Sequence, residues 1–173
     1  KAAIEYQTRN VFDVKIYGIE TDYKYHFSER NKGLSFTASA SLVKGENEPD
    51  DENLDSVNPF TTVTTFDYLF PNNKLSASLI NTYVGTPNPS KSYEATTESD
   101  NFIPDSFITT DLILKYKPSE RLIADLGIYN LFDKTYYLWS DIRSNGLLGN
   151  DDKAYQRYAQ PGTSVKVGFK WRF

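Results

Sequence analysis

The chain has 173 residues, including 13 Tyr and 11 Phe, and it contains no Cys, no Met and a single His. Its 19 Lys and Arg against 23 Asp and Glu give a formal net charge of −4, which argues against a general nucleic-acid binder. The lack of Cys excludes disulfides, thiolate zinc sites and cysteine nucleophiles. No run of about 18 apolar residues occurs, which excludes a transmembrane helix, and the many aromatic residues argue against a disordered chain.

Apolar and polar residues alternate along most of the chain, which predicts β-strands rather than helices. The last segment is the clearest: every second residue from Val165 to Phe173 is apolar, and Lys, Gly and Arg fill the positions between. Because a strand points alternate side chains to opposite faces, one face is apolar and the other cationic. The same pattern predicts about seven long strands, at residues 17–27, 34–42, 60–70, 75–83, 108–116, 122–128 and 163–173.

Short and long connections alternate strictly between these strands. The short ones carry turn residues and lie at residues 28–33, 71–74 and 117–121. The long ones are polar and lie near residues 45–59, 86–106 and 141–162. An antiparallel meander with short turns at one end and long loops at the other is typical of outer-membrane barrels.

Aromatic residues cluster beside the short turns and the end of the chain. The members of this cluster are Tyr23, Tyr25, Phe27, Phe66, Tyr68, Phe70, Tyr116, Trp171 and Phe173. Aromatic girdles at the membrane–water boundary have this placement. The alternative is a soluble β-sandwich that buries the apolar face in a protein core. The girdle favours an all-β fold in the form of a transmembrane antiparallel barrel.

The end of the chain resembles the C-terminal targeting signal of bacterial outer-membrane barrels. The residues that carry this resemblance are Lys166, Gly168, Trp171 and Phe173. The physical content of such a signal is an amphipathic edge strand that strand addition can capture. The alternative is the ordinary last strand of a soluble sheet.

Longer segments carry a more specific resemblance. Gly127–Arg143 reads GIYNLFDKTYYLWSDIR, and Arg157–Phe173 reads RYAQPGTSVKVGFKWRF. Together with Tyr6–Asn10 and Lys15–Glu20, they resemble the C-terminal third of TonB-dependent outer-membrane receptors. The Tyr-x-x-Trp run after NLFDK and the RYAxPG segment are most similar to the haemoglobin, transferrin and lactoferrin receptor branch. Thr163 departs from that branch, which has Arg after the Pro-Gly pair.

The resemblance implies a 22-stranded barrel with an N-terminal plug domain, of which residues 1–173 are the last seven or so strands. Nothing in the chain resembles the plug or the energy-coupling box, and the chain has no initiator Met. Barrel closure requires strand number, tilt and stagger to agree, so we expect a mature product or fragment that belongs to a larger barrel. Lys1–Asn10 is then the tail of an extracellular loop or of the preceding strand. Placing Phe173 at the periplasmic rim, as in the family, makes the short turns periplasmic and the long loops extracellular.

The implied function is iron acquisition by a non-enzymatic outer-membrane receptor, with haem or a haem or iron carrier protein as the transported ligand and no cofactor in this chain. The implied partners are the lipid outer membrane, the plug and remaining strands, the TonB complex through the plug, and haemoglobin or another host iron protein. Nucleic acid is not among them. A siderophore receptor is one alternative, and a small self-contained barrel acting as an adhesin or structural protein is another.

A barrel enzyme is disfavoured by the position of the single imidazole. A barrel phospholipase needs a His with Ser partners near the outer rim, whereas His26 lies beside the turn at 28–33. The same position makes His26 a structural or plug-contacting residue rather than a haem ligand.

The loop at 141–162 offers the best candidates for ligand contact, because exposed Tyr and Arg are typical anchors for a protein partner. These candidates are Arg143, Tyr155, Arg157 and Tyr158, beside Lys153. The alternative is a loop packed over the rim of the barrel.

Two further charged groups have ordinary explanations. The carboxylates of the loops at 45–59 and 86–106 are expected to be solvated, with Ca²⁺ binding as the alternative. Lys166, Lys170 and Arg172 face the lumen, where charge pairing or plug contact is the expected role and a substrate pathway is the alternative.

Overall fold

The structure, a computed structural model, describes residues 13–28, 32–48, 52–94, 102–145 and 154–173. Its strands are β1 (Val14–His26), β2 (Gly33–Asn47), β3 (Glu52–Asn53), β4 (Thr61–Leu69), β5 (Leu75–Val84), β6 (Phe107–Ser119), β7 (Leu122–Tyr129) and β8 (Ser164–Trp171). The short helices are α1 (Lys91–Glu94), α2 (Trp139–Asn145) and a 3-10 helix (Ala154–Tyr158). The predicted roles of Lys1–Asn10 and of turn residues 29–31 lie outside the described residues.

All eight strands form one antiparallel sheet. The seven long strands pair in chain order, β1-β2-β4-β5-β6-β7-β8, and β3 pairs with the end of β2. This confirms the predicted all-β meander of seven long strands. Within the described residues β1 and β8 form the two edges of the sheet.

β1 and β2 are longer than the alternation predicts. They pair from Val14 opposite Asn47 down to His26 opposite Ser35, so β2 extends into the loop expected to start at residue 45. The extension is hidden in the sequence because Lys44 and Glu46 occupy the face that is apolar lower down. The apolar pattern therefore ends before the strand does.

The register explains why one face of the sheet is apolar throughout. Residues directly opposite each other in an antiparallel pair share a face. One row across all seven long strands contains Tyr25, Phe36, Phe66, Leu79, Leu112, Ile128 and Val165. The adjacent row on the other face contains His26, Ser35, Asp67, Ser78, Ile113, Gly127 and Lys166. We call these two surfaces the apolar face and the polar face.

No protein layer covers the apolar face in the described part of the chain. Ile19 is 72% exposed and Phe169 is 76% exposed, and the buried apolar residues described are Phe107, Trp139 and Ile142. A β-sandwich would have buried the apolar face against a second sheet. The exposed band therefore fits a lipid environment.

The height and edge of the apolar band also fit a bilayer. The alternation from Tyr17 to Phe27 covers ~33 Å of strand, or ~25 Å of height at a tilt of ~40°. Near the short turns, aromatic rings pack in pairs. The ring centres are 4.9 Å apart in Tyr25 and Phe27 and 4.8 Å apart in Tyr68 and Phe70. None of the described helices is long and apolar enough to span a membrane.

The two faces predict opposite responses to a charge. Leu112 lies on the apolar face between Leu79 and Ile128, and Ile113 lies on the polar face between Ser78 and Gly127. We expect Leu112→Arg to lower the free energy of unfolding in phospholipid vesicles by about 2–4 kcal/mol, because it places a cation in hydrocarbon. Ile113→Arg is the matched control and should cost much less, as measured by urea titration. Equal costs would contradict the assignment of the faces.

Candidate functional site

The long connections form a packed structure at the end of the sheet opposite the short turns. We call this the loop cap; it comprises the described residues of 52–60, 85–106 and 130–163. Its interior holds Trp139 and Ile142, each only 3% exposed. These two side chains lie on α2, so the other segments of the cap pack against this helix.

Asp55 ties the three loops of the cap together. Its carboxylate accepts hydrogen bonds from the Ser90 backbone N–H at 2.7 Å and from Ser90 Oγ at 3.1 Å. Its backbone carbonyl accepts from Trp139 Nε1 at 2.9 Å and from Arg143 Nη1 at 3.1 Å. The expectation of a solvated carboxylate is therefore wrong for Asp55, because its oxygens are used to join loops.

The other acidic residues of these loops lie partly inside and partly outside the described part of the chain. Four acidic residues of the loops at 45–59 and 86–106 lie outside the described residues, namely Asp50, Asp51, Glu98 and Asp100. Among the residues that the structure does describe, no group of three or more His, Asp or Glu side chains could hold a metal ion.

Stacked rings complete the cap. Tyr155 stacks on Phe102 with ring centres 4.0 Å apart, and Tyr137 meets Phe102 edge-on at 5.1 Å. Tyr93 meets Trp139 edge-on at 5.1 Å. Burial raises the pKa of Tyr93, and the nearby Asp55 carboxylate raises it further.

The four predicted ligand-contact residues lie in this cap but differ in exposure. Arg143 is half-buried on α2, and its Nε is buried without a hydrogen-bond partner among the described residues. Tyr155 and Tyr158 are half-buried on the 3-10 helix, and Arg157 is exposed. Lys153 lies outside the described residues. The structure thus brings the four onto one substructure, with Arg143 and Tyr155 in its packing and Arg157 at its surface.

The NLFDK segment is a structural joint that sequence reasoning identified only as a family signature. Asn130 is 4% exposed and has a left-handed backbone, with φ of 50°. Its Nδ2 donates to the carbonyls of Lys134 at 2.9 Å and Pro161 at 3.2 Å, and its Oδ1 accepts from the Lys134 N–H at 2.9 Å. Asn tolerates a left-handed backbone better than most residues, which is the signal that marks this position.

The Pro-Gly pair and Thr163 complete the same joint. Asp133 Oδ1 accepts from the Thr163 N–H at 2.9 Å, and a Cβ on Gly162 would collide with that oxygen. Thr163 Oγ1 donates to the Asn130 carbonyl at 2.7 Å. The departure of Thr163 from the branch pattern is therefore accommodated by a hydrogen bond within the joint.

The residues of the predicted assembly signal divide between the two faces. Lys166 and Gly168 lie on the polar face, and Trp171 and Phe173 are exposed on the apolar side. The absent side chain of Gly168 leaves room for Asp125, whose carboxylate oxygens would lie 2.5 and 2.8 Å from a Cβ there. The Lys166 ammonium lies 5.0 Å from the centre of the Tyr129 ring. Gly168 thus has a packing role in addition to its predicted part in assembly.

His26 is placed where the alternation predicts, on the polar face beside a short turn. It borders a shallow cleft of about 100 Å³ together with Lys32, Asp67 and Ser78. The proposed structural or plug-contacting role of His26 stays a prediction.

Known proteins resemble this chain along most of its length. The sequence profile described as "TonB dependent receptor-like, beta-barrel" matches residues 2–131. Haemoglobin-binding protein A of Haemophilus influenzae is 25% identical over 97% of the chain and 18% of its own length. Lactoferrin-binding protein A of Neisseria meningitidis is 27% identical over 96% of the chain and 19% of its own length. The chain spans about a fifth of the length of the curated relatives it matches.

Solved structures show the same fold at low identity. The copper transporter OprC matches 94% of the chain and 24% of its own chain with a TM-score of 0.75 and 21% identity. A mutant of the ferric enterobactin receptor PfeA from Pseudomonas aeruginosa matches 91% of the chain and 22% of its own with a TM-score of 0.71 and 20% identity.

The joint around Asn130 predicts a large effect from a small change. Asn130→Asp keeps the shape but replaces two buried N–H donors by a carboxylate oxygen facing the Lys134 and Pro161 carbonyls. We expect the free energy of unfolding to fall by about 2–4 kcal/mol at pH 7, because two buried acceptors lose their donors. Asn58→Asp, at an exposed loop position, should change it by less than ~0.5 kcal/mol. Similar free energies of unfolding for the two variants in urea titrations would refute the role of Asn130 in the joint.

Proposed function

The chain belongs to the TonB-dependent receptor β-barrel family, and on that premise we propose that it forms part of the wall of an outer-membrane receptor that imports haem, or haem or iron from a host carrier protein. Members of this family lie in the outer membrane and are receptors or transporters, not enzymes. One observation carries the proposal: the sheet combines an uncovered apolar face with a loop cap at the end opposite the short turns.

Relatives support a carrier protein as the source of the ligand. The names of two of them specify binding of haemoglobin and of lactoferrin, and the alignment with each covers nearly the whole of this chain. A siderophore receptor is the second candidate, which the fold likeness to the ferric enterobactin receptor supports. The sequence relatives favour the first candidate, because the likeness to the ferric enterobactin receptor is one of fold alone.

The ligand-contact patch of this proposal consists of Arg143, Tyr155, Arg157 and Tyr158. Arg157 and Tyr158 make the direct contact, since Arg157 is exposed and Tyr158 is half-buried at the surface of the cap. Arg143 and Tyr155 form the base of the patch, where Asp55 and Phe102 hold them. A rigid base reduces the conformational entropy that a surface loop loses on binding.

Further strands and a plug complete the proposed receptor. β1 and β8 present unpaired edges in the described sheet, and each unpaired backbone group in hydrocarbon costs several kcal/mol. We propose that other strands of the same barrel cover these edges, that the polar face lines the lumen around a plug, and that the plug couples to TonB. In this orientation the short turns are periplasmic and the loop cap is extracellular.

Growth on defined iron sources tests the proposed ligand. Deletion of the gene should abolish growth on haemoglobin or haem as the iron source and leave growth on ferrous salts unchanged. Loss of growth on a ferric siderophore alone would favour the second candidate. Undiminished growth on every source would overturn the import function.

The contact patch has its own test in the full-length receptor. Arg157→Ala and Tyr158→Ala should each weaken haemoglobin binding to whole cells by roughly 5–30-fold, the range expected of an interface anchor. Lys91→Ala, an exposed position of the neighbouring loop, should leave the affinity unchanged. An unaltered affinity in both patch variants would place the contact elsewhere.

A further inference from the structure

Positive charge is concentrated on the polar face of the last three strands. The register places Lys115 of β6 opposite Asp125 of β7, and Asp125 opposite Gly168 of β8. Alternation along β8 puts further cations on the same face. The residues Lys115, Lys166, Lys170 and Arg172 are called the cationic strip below.

The polar face of the first strands has the opposite character. Glu20 and Asp22 of β1 accept hydrogen bonds from serines of β2, with Ser39 Oγ 2.5 Å from Asp22 and Ser41 Oγ 3.4 Å from Glu20. Their charges are thus held by neighbouring hydroxyls. Lys24 lies on the same face of β1, so acids outnumber Lys and Arg there by two to one, whereas cations predominate on the last three strands.

The cations of the strip have acids nearby but form no ion pair within 4.0 Å among the described residues. Across the described ranges, the ion pair within 4.0 Å joins Lys117 and Glu120, and neither residue belongs to the strip. The carboxylate of Asp111 accepts from the Asn130 N–H at 2.8 Å. Asp125 lies among the strip cations, seated over Gly168, and Asp111 lies on the same face of β6. The hydrogen bond from Lys117 lowers the pKa of the Glu120 carboxyl, and Arg172 is close enough to help lower it. The four cations of the strip outnumber these three acids.

The strip runs along the direction of transport. Lys166 lies near the loop-cap end of β8 and Arg172 lies beyond its other end. The six steps between them span ~20 Å along the strand. Lysine and arginine charges along a pore wall attract anions and pass them between successive weak sites.

We propose that the cationic strip is a relay for an anionic ligand. A haem or ferric chelate bearing carboxylates moves along this strip, on the lumen wall, toward the periplasm. This inference rests on the proposed function and goes beyond it. Three of the four members of the strip are Lys, a hydrated point charge on a flexible stem, whereas a fixed docking patch would favour the rigid fork of Arg. Weak, repeated contacts suit transit better than storage.

The test uses the full-length receptor in cells and iron-radiolabelled haem as the probe. The double variant Lys166→Gln/Lys170→Gln removes two charges from the strip. Lys15→Gln/Lys44→Gln removes the same charge from exposed positions of β1 and β2 and is the matched control. Surface binding of haem, its rate of entry, the surface level of each variant and entry of vancomycin are measured together.

The strip variant should bind haem at the surface as the unmodified receptor does but import it about 3–10-fold more slowly, and the control should import it normally. Lys166→Arg/Lys170→Arg should restore most of the rate. Unchanged import would overturn the relay. Increased vancomycin entry would also overturn it, because the strip would then be holding a plug segment in place. A lack of haem binding by the unmodified receptor would instead refute the proposed function itself.

Discussion

The register of the antiparallel pairs is the constraint on which the rest of this structure depends. A shift of one residue in any pair would transfer a whole set of side chains to the other face. The observed register aligns seven apolar residues in one row and places Ser, Asp, Lys and His in the next. A sheet with two such different faces is stable where hydrocarbon meets one and a polar interior meets the other.

The loop cap is stabilised by different interactions from those that stabilise the sheet. Its stability rests on a small apolar interior around Trp139 and Ile142 and on hydrogen bonds to Asp55. These contacts join segments that are distant in sequence, since Asp55 is 35 positions from Ser90 and 84 positions from Trp139. Loops held in this way can present side chains to a large partner without first losing much conformational entropy.

The amino-acid pattern was sufficient for the strands and insufficient for the loops, and the reason is physical. Alternation is a local signal, so the seven long strands could be placed from the sequence. The turn expected at residues 117–121 is shorter than predicted, because β6 continues to Ser119. The upper ends of β1 and β2 were missed because Lys15, Lys44 and Glu46 interrupt the apolar face there. Val14, Ile16 and Val43 occupy the opposite face. The engagement of Asp55 and the half-burial of Arg143 depend on distant partners, and no local pattern encodes them. Asn130 lies between these two cases. Its motif could be recognised in the sequence, but its hydrogen-bond partners could be identified only from the folded structure.

Fluorescence quenching by lipids brominated in the acyl chains tests most directly whether the apolar face contacts hydrocarbon. The chain has two Trp residues: Trp171 is 59% exposed on the apolar face, and Trp139 is 3% exposed inside the loop cap. In vesicles, the brominated lipid should quench the Trp fluorescence of the protein. Trp171→Phe should remove this quenching, whereas Trp139→Phe should leave it intact. Quenching that is unaffected by Trp171→Phe would show that this face lies away from the bilayer.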